Sequence, residues 1–449
     1  MRDLLLVLFL FVAIYFCFKR PFLGIASWAW ISLMAPANWA FGFSSSFRLN
    51  LTIVLVTVIS YIVVQKRKTF AFNSISFWIL LFGIWTLITS FTSLHSISTY
   101  ATDYWQQFIK VLIFYFFISL IINKKLHIDT LIWAIVLAIS SYAAMESVKF
   151  ILSGGGHMVT GRAGAIRDRN DFAVAVNMCI PLIVYLIYAT RHYYLKLGLW
   201  GLLLMNILAI VGTGSRGGFI GLTILALAFW WKSKRKLLWA LLAIIILPTA
   251  YQSTPEHWRE RQSTIETAST DDASFIGRLW AWKIAVMIAR DHPITGAGFM
   301  GATDHLVWHS YAPFTPFFGP IETPEIPEGS APKAAHNIYF QVLGDHGYVG
   351  LSIFLMILMS MLWVNRSSRL KAKKYQQLWC EKLSSAISLS LIGFCVTGAN
   401  VSLAYFDLFY ALAGIVSAIS IYKLYQPEQP PAQNSVAAES TSHRPKLTY

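Results

Sequence analysis

Charged side chains are scarce, with Asp, Glu, Lys and Arg making up only 13% of the 449 residues. A soluble domain carries roughly a quarter. With 56% hydrophobic residues and a mean hydropathy of +0.56, this scarcity excludes a water-soluble chain. Acid is the rarer sign, 21 residues against 36 basic, for a net charge of +15. The basic residues are dispersed in short clusters with no long basic arm, so they speak for membrane topology and not for nucleic acid. Cysteine is nearly absent too. Of the four, Cys17, Cys179 and Cys395 fall inside apolar runs, and Cys380 falls in a basic loop placed inside. No CxxC spacing exists for a metal, and no disulfide is needed. A DxD motif is missing, and no inner loop is long enough for a nucleotide-binding domain, which argues against a nucleotide-sugar enzyme. No internal repeat points to an inverted-repeat transporter.

What the chain has is apolar runs of the length that spans a bilayer as a helix. They fall near Leu4 to Phe18, Phe22 to Trp39, Leu49 to Val64, Ile75 to Ser90, Phe108 to Ile122 and Thr130 to Phe150. Phe172 to Ala189, Leu197 to Gly212, Phe219 to Trp231 and Leu237 to Ala250 follow, and after a polar interval Ile338 to Trp363, Leu383 to Gly398 and Tyr405 to Tyr422. The runs are continuous and do not alternate, so helices and not a barrel are implied. The expected fold is an all-α polytopic membrane protein with about 12 to 13 transmembrane helices and one large periplasmic loop. The first run has no small-residue cleavage site after it and is read as retained.

Basic clusters Lys19-Arg20, Lys66 to Lys68, Lys124-Lys125, Arg191 with Lys196, Lys232 to Lys236 and Arg366 to Lys374 occupy every second loop. The positive-inside rule makes those loops cytoplasmic and puts the N-terminus outside if the first run spans. The chain then divides into N-terminal helices (1–150), central helices with Arg-bearing periplasmic loops (151–250), a large periplasmic loop (251–337), C-terminal helices (338–425) and a disordered cytoplasmic tail (426–449).

Basic residues on the opposite side run against that bias, and they cluster. Arg162, Arg167 and Arg169 fill one short loop, Arg216 sits in Gly214-Ser215-Arg216-Gly217-Gly218, and Arg259, Arg261 and Arg278 lie in the large loop. Arginine suits forked recognition of phosphate. The large loop also carries Gly277-Arg278-Leu279-Trp280-Ala281-Trp282, His292-Pro293-Ile294-Thr295-Gly296-Ala297-Gly298 and Ala335-His336-Asn337.

In series these motifs resemble the O-antigen ligase and polymerase superfamily of lipid-linked glycan transferases. The resemblance extends back through Gly161-Arg162, Asn170-Asp171-Phe172-Ala173 and Ser215-Arg216-Gly217-Gly218, covering roughly residues 161 to 351. The start, with Arg20-Pro21-Phe22-Leu23-Gly24 and Trp28-Ala29-Trp30, also resembles the O-glycosylation ligases associated with exosortase systems.

The resemblance implies a multi-pass enzyme of the bacterial inner membrane, in lipopolysaccharide or exopolysaccharide biosynthesis or protein O-glycosylation, with its site facing the periplasm. It would take a glycan from undecaprenyl pyrophosphate to a protein or glycan hydroxyl, with no cofactor, metal or nucleic acid. His336 is the expected base and Arg216 and Arg278 the pyrophosphate ligands, with Arg162, Arg167 and Arg169 as further contacts. Asn337, Ser215, Trp282 and His292 are supporting residues.

Each assignment has a plainer counterpart: His336 as a helix cap, the loop arginines as solvated, and the glycines of 214–218 as packing residues. His292-Pro293 and Gly296-x-Gly298 read as a helix stop and a turn needing positive backbone angles. His305 and His309 form an HxxxH without a neighbouring Glu. Trp308 to Phe318 reads as a sugar-stacking flap or an interfacial aromatic belt. Two other activities share these features, an O-antigen polymerase and a flippase for the same lipid; a transporter would keep its charges in the bundle interior near the midplane.

Overall fold

The computed structural model describes residues 2–39, 42–65, 72–97, 99–162, 164–237 and 273–427. Among the described residues the protein is 76% helical and has no strand. The helices are α1 (Arg2–Lys19), α2 (Pro21–Met34), α3 (Leu49–Val64), α4 (Ser74–Phe91), α5 (Tyr100–Ile121), α6 (Lys125–Leu152), α7 (Arg169–Ala189), α8 (Tyr193–Gly212) and α9 (Arg216–Lys232). They continue with α10 (Ala273–Asp291), α11 (His305–Tyr311), α12 (Ile338–Lys374), α13 (Leu378–Gly398) and α14 (Asp407–Ile421).

Seven of these, α4 to α8, α12 and α13, are long and apolar enough to cross a membrane. Leu6–Lys19, Pro21–Met34, Leu49–Val64 and Asp407–Ile421 are apolar but shorter. The expected span from Leu237 to Ala250 lies, from residue 238 onward, outside the described residues, as do residues 251–272 of the expected large loop, with Arg259 and Arg261, and 428–449 of the tail.

Three expectations are corrected. Arg169 is the first residue of α7 and not a loop residue, because Asp168 caps the helix just before it, its carboxylate accepting from the Asn170 amide at 2.7 Å. Cys380 is buried inside α13, where the helix begins five residues earlier than the apolar run. The run ending at Trp363 continues as helix to Lys374, so the basic segment is a helical extension.

Helix α7 is the centre of the bundle. It is apolar on every face, as buried helices are, with Phe172 to Ile183 and Tyr185 to Ile187 buried. It packs on α6, α8, α9 and α13. At the basic end of the bundle, Lys125 lies 5.7 Å over the Trp379 ring and Tyr422 donates to the Leu120 carbonyl at 2.9 Å. The alternate connections, including the one that bears Arg162 and Arg167, meet at the other, upper end. There Leu94 N donates to Ala297 O at 3.0 Å and Tyr142 Oη to Thr160 O at 2.9 Å. Helix α1 also starts at this end, where the Asp3 carboxylate accepts from the Ser44 hydroxyl at 2.6 Å.

Helix α12 is kinked at Gly347, whose φ of 66° is open to glycine and rare for other residues. The turn after α10 is seated against the kink. Ala297 N and Gly298 N donate to the carbonyls of Gly344 and Asp345 at 2.9 and 2.8 Å, and Tyr348 N donates to Pro293 O at 2.9 Å. The Asp345 side chain, fully enclosed, accepts from Met300 N at 3.0 Å and from Tyr405 Oη at 2.8 Å. Both oxygens of this buried carboxylate therefore have donors, which is the condition for a tolerable acid at this depth.

A Cβ at Gly347 would lie 2.6 Å from the carbonyl oxygens of Pro293 and Ile294, whereas one at Gly198 in α8 meets nothing within 4 Å. Gly347→Ala is expected to lower thermal stability in detergent by upward of about 2 kcal/mol, from positive φ and overlap together. Gly198→Ala is expected to raise it slightly through helix propensity. Equal melting temperatures for the two variants would contradict the seated kink.

Candidate functional site

Three helices begin together at the upper end, each with a side-chain cap. Asp168 caps α7, the Ser215 hydroxyl accepts from Gly218 N at 3.2 Å to cap α9, and Asn337 Oδ1 accepts from Tyr339 N at 2.9 Å and Phe340 N at 3.3 Å to cap α12. The first turns of α7 and α9 touch. A Cβ at Gly218 would be 2.6 Å from the Ala173 Cβ, and Asn177 Nδ2 donates to Gly218 O at 2.9 Å. The positive ends of three helix dipoles are thereby concentrated where an anion would be welcome.

His336 stands just before the α12 cap. Since Asn337 supplies that cap, the imidazole is not engaged in it. The backbone at His336 has φ 44°, in the left-handed region that side chains with a Cβ seldom occupy. The peptide that joins it to Ala335 is held through both of its polar groups. Its own N–H donates to the Ser402 hydroxyl at 2.9 Å, and the carbonyl of the preceding Ala335 accepts from Trp282 Nε1 at 2.6 Å. The Trp282 ring in turn stacks on Phe340, with centroids 5.2 Å apart. Burial holds the His336 pKa below the usual histidine value; the positive charges of Arg278 and Lys333 lower it further, and Asp168 opposes them. The ring is therefore neutral, with a lone pair, at and somewhat below neutral pH.

Arg278, on the second turn of α10, donates through Nη1 to Asn400 Oδ1 at 3.2 Å. The same Asn400 is pressed against Gly217, where a Cβ would lie 2.7 to 2.9 Å from its Cβ, Cγ and Nδ2. Gly217 is the neighbour of Arg216 at the start of α9, so one side chain ties the Arg278 guanidinium to the turn that bears Arg216. The glycine here is required for close approach.

The remaining arginines are distributed differently. Arg162 lines a narrow crevice with Leu33, Met34, Ile139, Tyr142 and Phe172, Arg167 is exposed, and Arg169 Nη1 reaches Met158 Sδ at 3.6 Å. His292 lies at the turn seated on the α12 kink, its carbonyl accepting from Gly296 N at 2.9 Å. That turn meets α12 from Gly344 to Tyr348, about two to three helical turns, roughly 12 to 18 Å, along the helix from His336.

Beyond the site, Lys283 is buried and donates to Thr315 O at 2.7 Å and Thr323 Oγ1 at 3.1 Å, while Trp280 Nε1 donates to Pro324 O at 2.9 Å. These bonds fasten the 312–327 segment to α10. Trp308 is wholly buried against Ile284, Ile288 and Ala297, so it is core and neither flap nor belt, whereas Phe314 and Phe317 are 62% and 88% exposed. The His305 and His309 rings lie 4.3 Å apart. Among the described residues, no group of three or more His, Cys, Asp or Glu is placed to hold a metal ion.

The sequence reading missed Asn400 and Ser402, and with them Asp168, Lys333 and Asp345. A signal for the first two was present. Asn400-Val401-Ser402 is a polar pair in a connection with no basic cluster, between two apolar runs.

Residues 200–355 match the family described as O-Antigen ligase, and residues 1–192 match a family of unknown function (DUF5935). No curated protein matches the chain. The first match takes in Arg216, Arg278 and His336 and supports a glycosyltransferase of the ligase or polymerase type in a multi-pass membrane protein. Asn400 and Ser402 lie outside both matched segments.

The surroundings of His336 are testable through its protonation. Lys333→Gln removes a positive charge that disfavours the imidazolium, so the pH at which His336 becomes half-reactive to diethyl pyrocarbonate should rise. Asp168→Asn removes the opposing charge, and that pH should fall. Labelling followed by mass spectrometry reads both, and midpoints that move together or stay fixed would contradict the arrangement.

Proposed function

We propose that this protein transfers a glycan from undecaprenyl pyrophosphate to a hydroxyl acceptor, with the upper end of the bundle facing the periplasm. The observation that carries the reading is the joining of His336, Arg278 and the Arg216 turn through Asn400 and Ser402. The O-Antigen ligase match over the segment that bears all three residues supports it, as does the alternation of basic clusters along the chain. The resemblance of the start to exosortase-associated O-glycosylation ligases favours a protein Ser or Thr, or a terminal sugar, as acceptor.

The chemistry asks for little. Pyrophosphate is already a good leaving group, so cations must hold its charge and a base must take the acceptor's proton. His336, kept neutral by burial and neighbouring cations, accepts the proton from the acceptor O–H. The freed oxygen attacks the anomeric carbon from the face opposite the phosphate, and inversion follows. The bond from that carbon to the phosphate oxygen breaks, and undecaprenyl pyrophosphate departs with the electron pair. Arg216 and Arg278, with the three helix starts, stabilise the departing charge. Arg162, Arg167 and Arg169 add positive potential along the approach, and Asn337, Ser215 and Trp282 fix the backbones on which the base and the cations stand. His292 contributes through the turn at the kink. Neither metal nor cofactor is needed.

Purified protein in detergent with EDTA, given undecaprenyl-pyrophosphate glycan and separate candidate acceptors, tests this directly. Wild type should form product, and His336→Ala should lose a factor of about 10² or more. Arg216→Lys and Arg278→Lys should each fall roughly a hundredfold, because an ammonium does not replace a forked contact. Normal turnover by the histidine variant would refute the base. An intact donor with every acceptor, together with lipid moving between liposome leaflets, would make the protein a transporter.

A further inference from the structure

The connection from α13 to α14 carries no cation and no base, yet it bonds to His336 and Arg278 and packs on Gly217, the neighbour of Arg216. We propose that Asn400 and Ser402 are positioning residues: Asn400 aims the Arg278 guanidinium at the donor phosphates, and Ser402 holds His336 where its ring meets the acceptor hydroxyl. This inference rests on the ligase-type reading above.

The choice of side chains is chemically apt. A carboxylate at position 400 would orient Arg278 equally well but would cancel the charge that the pyrophosphate needs. The amide oxygen, 3.2 Å from Nη1, fixes one edge of the guanidinium and leaves the charge intact. Its amide packs on Gly217, so it cannot swing toward α9 without moving that helix's first turn. Ser402 solves a different problem. A residue at φ 44° relaxes to an ordinary conformation unless its surroundings forbid it. The Ser402 hydroxyl accepts the His336 N–H at 2.9 Å in the observed conformation.

The connection is itself rigid. Asn400 N donates to Thr397 O at 3.0 Å, Val401 N to Gly398 O at 3.3 Å, and Ala404 N to Gln341 Oε1 at 3.1 Å. Tyr405 Oη donates to Asp345 Oδ2 at 2.8 Å. Gln341 and Asp345 are one turn apart on the same face of α12, so the helix that follows His336 also anchors the segment that holds it. The two residues are thus fixed relative to the cation and the base they serve.

Donor kinetics and undecaprenyl pyrophosphate binding, the latter read as a thermal shift in detergent, separate the two roles. Asn400→Ala should weaken binding and raise the donor KM by about 5- to 10-fold, with a smaller fall in kcat because Arg278 also holds the departing charge. Asn400→Asp, of the same size, should weaken binding further by neutralising Arg278. Ser402→Ala should lower kcat about tenfold at unchanged donor KM, and Ser402→Thr, which keeps the hydroxyl, should recover most of it. Wild-type kinetics in Asn400→Ala and Ser402→Ala would overturn the inference. So would parallel losses of kcat and affinity in all four variants that follow the yield of folded protein. A wild type that neither binds undecaprenyl pyrophosphate nor transfers glycan sinks the ligase-type reading itself, and this inference with it.

Discussion

The contact of Asn400 with Gly217 and Arg278 joins three segments distant in sequence, and the geometry of the site follows from it. A side chain at residue 217 would collide with the amide, and α9 would have to retreat from α13. The helix ends could not then converge. Irregular backbone at this depth is tolerated only where its polar groups are satisfied by protein. The α13–α14 connection meets that condition through Gln341, Asp345 and Thr397. The contacts that hold Arg278 and His336 thus stand on a connection that is itself hydrogen-bonded to α12 and α13.

Electrostatics at this end are one-sided by construction. Burial, Arg278 and Lys333 oppose the protonation of His336 just before α12. These positive charges, which suit an anion such as a phosphate, also disfavour the imidazolium. Asp168 moderates the field while capping α7. The buried acid Asp345 is explained without transport, because Met300 N and Tyr405 Oη take up its two oxygens. It lies in the second turn of α12, near the upper end and away from the midplane where a translocation pathway would place it.

Much of this was legible in the sequence. Continuous apolar runs announce the helices, Ser215 and Asn337 are cap residues by type, and Gly296 and Gly298 do take positive φ. Other features depend on tertiary contact and leave no periodic trace. The kink at Gly347 exists because the 293–298 turn occupies it. Trp308 reads as an interfacial aromatic until α10 is seen to cover it. Arg169 reads as loop because hydrophobicity marks where a helix enters lipid and not where its cap begins. Asn400 and Ser402 sit in a short polar connection whose partners are 122 and 66 residues away, beyond the reach of any local pattern.

The most direct test of the account is a structure of the protein with undecaprenyl pyrophosphate bound, determined by electron microscopy in a lipid nanodisc. Phosphate density is expected between Arg216 and Arg278, at the starts of α7, α9 and α12, with the His336 ring facing the open side of the phosphate. Phosphate density in the bundle interior or at the basic end, with the surroundings of Arg216, Arg278 and His336 unchanged, would contradict the account.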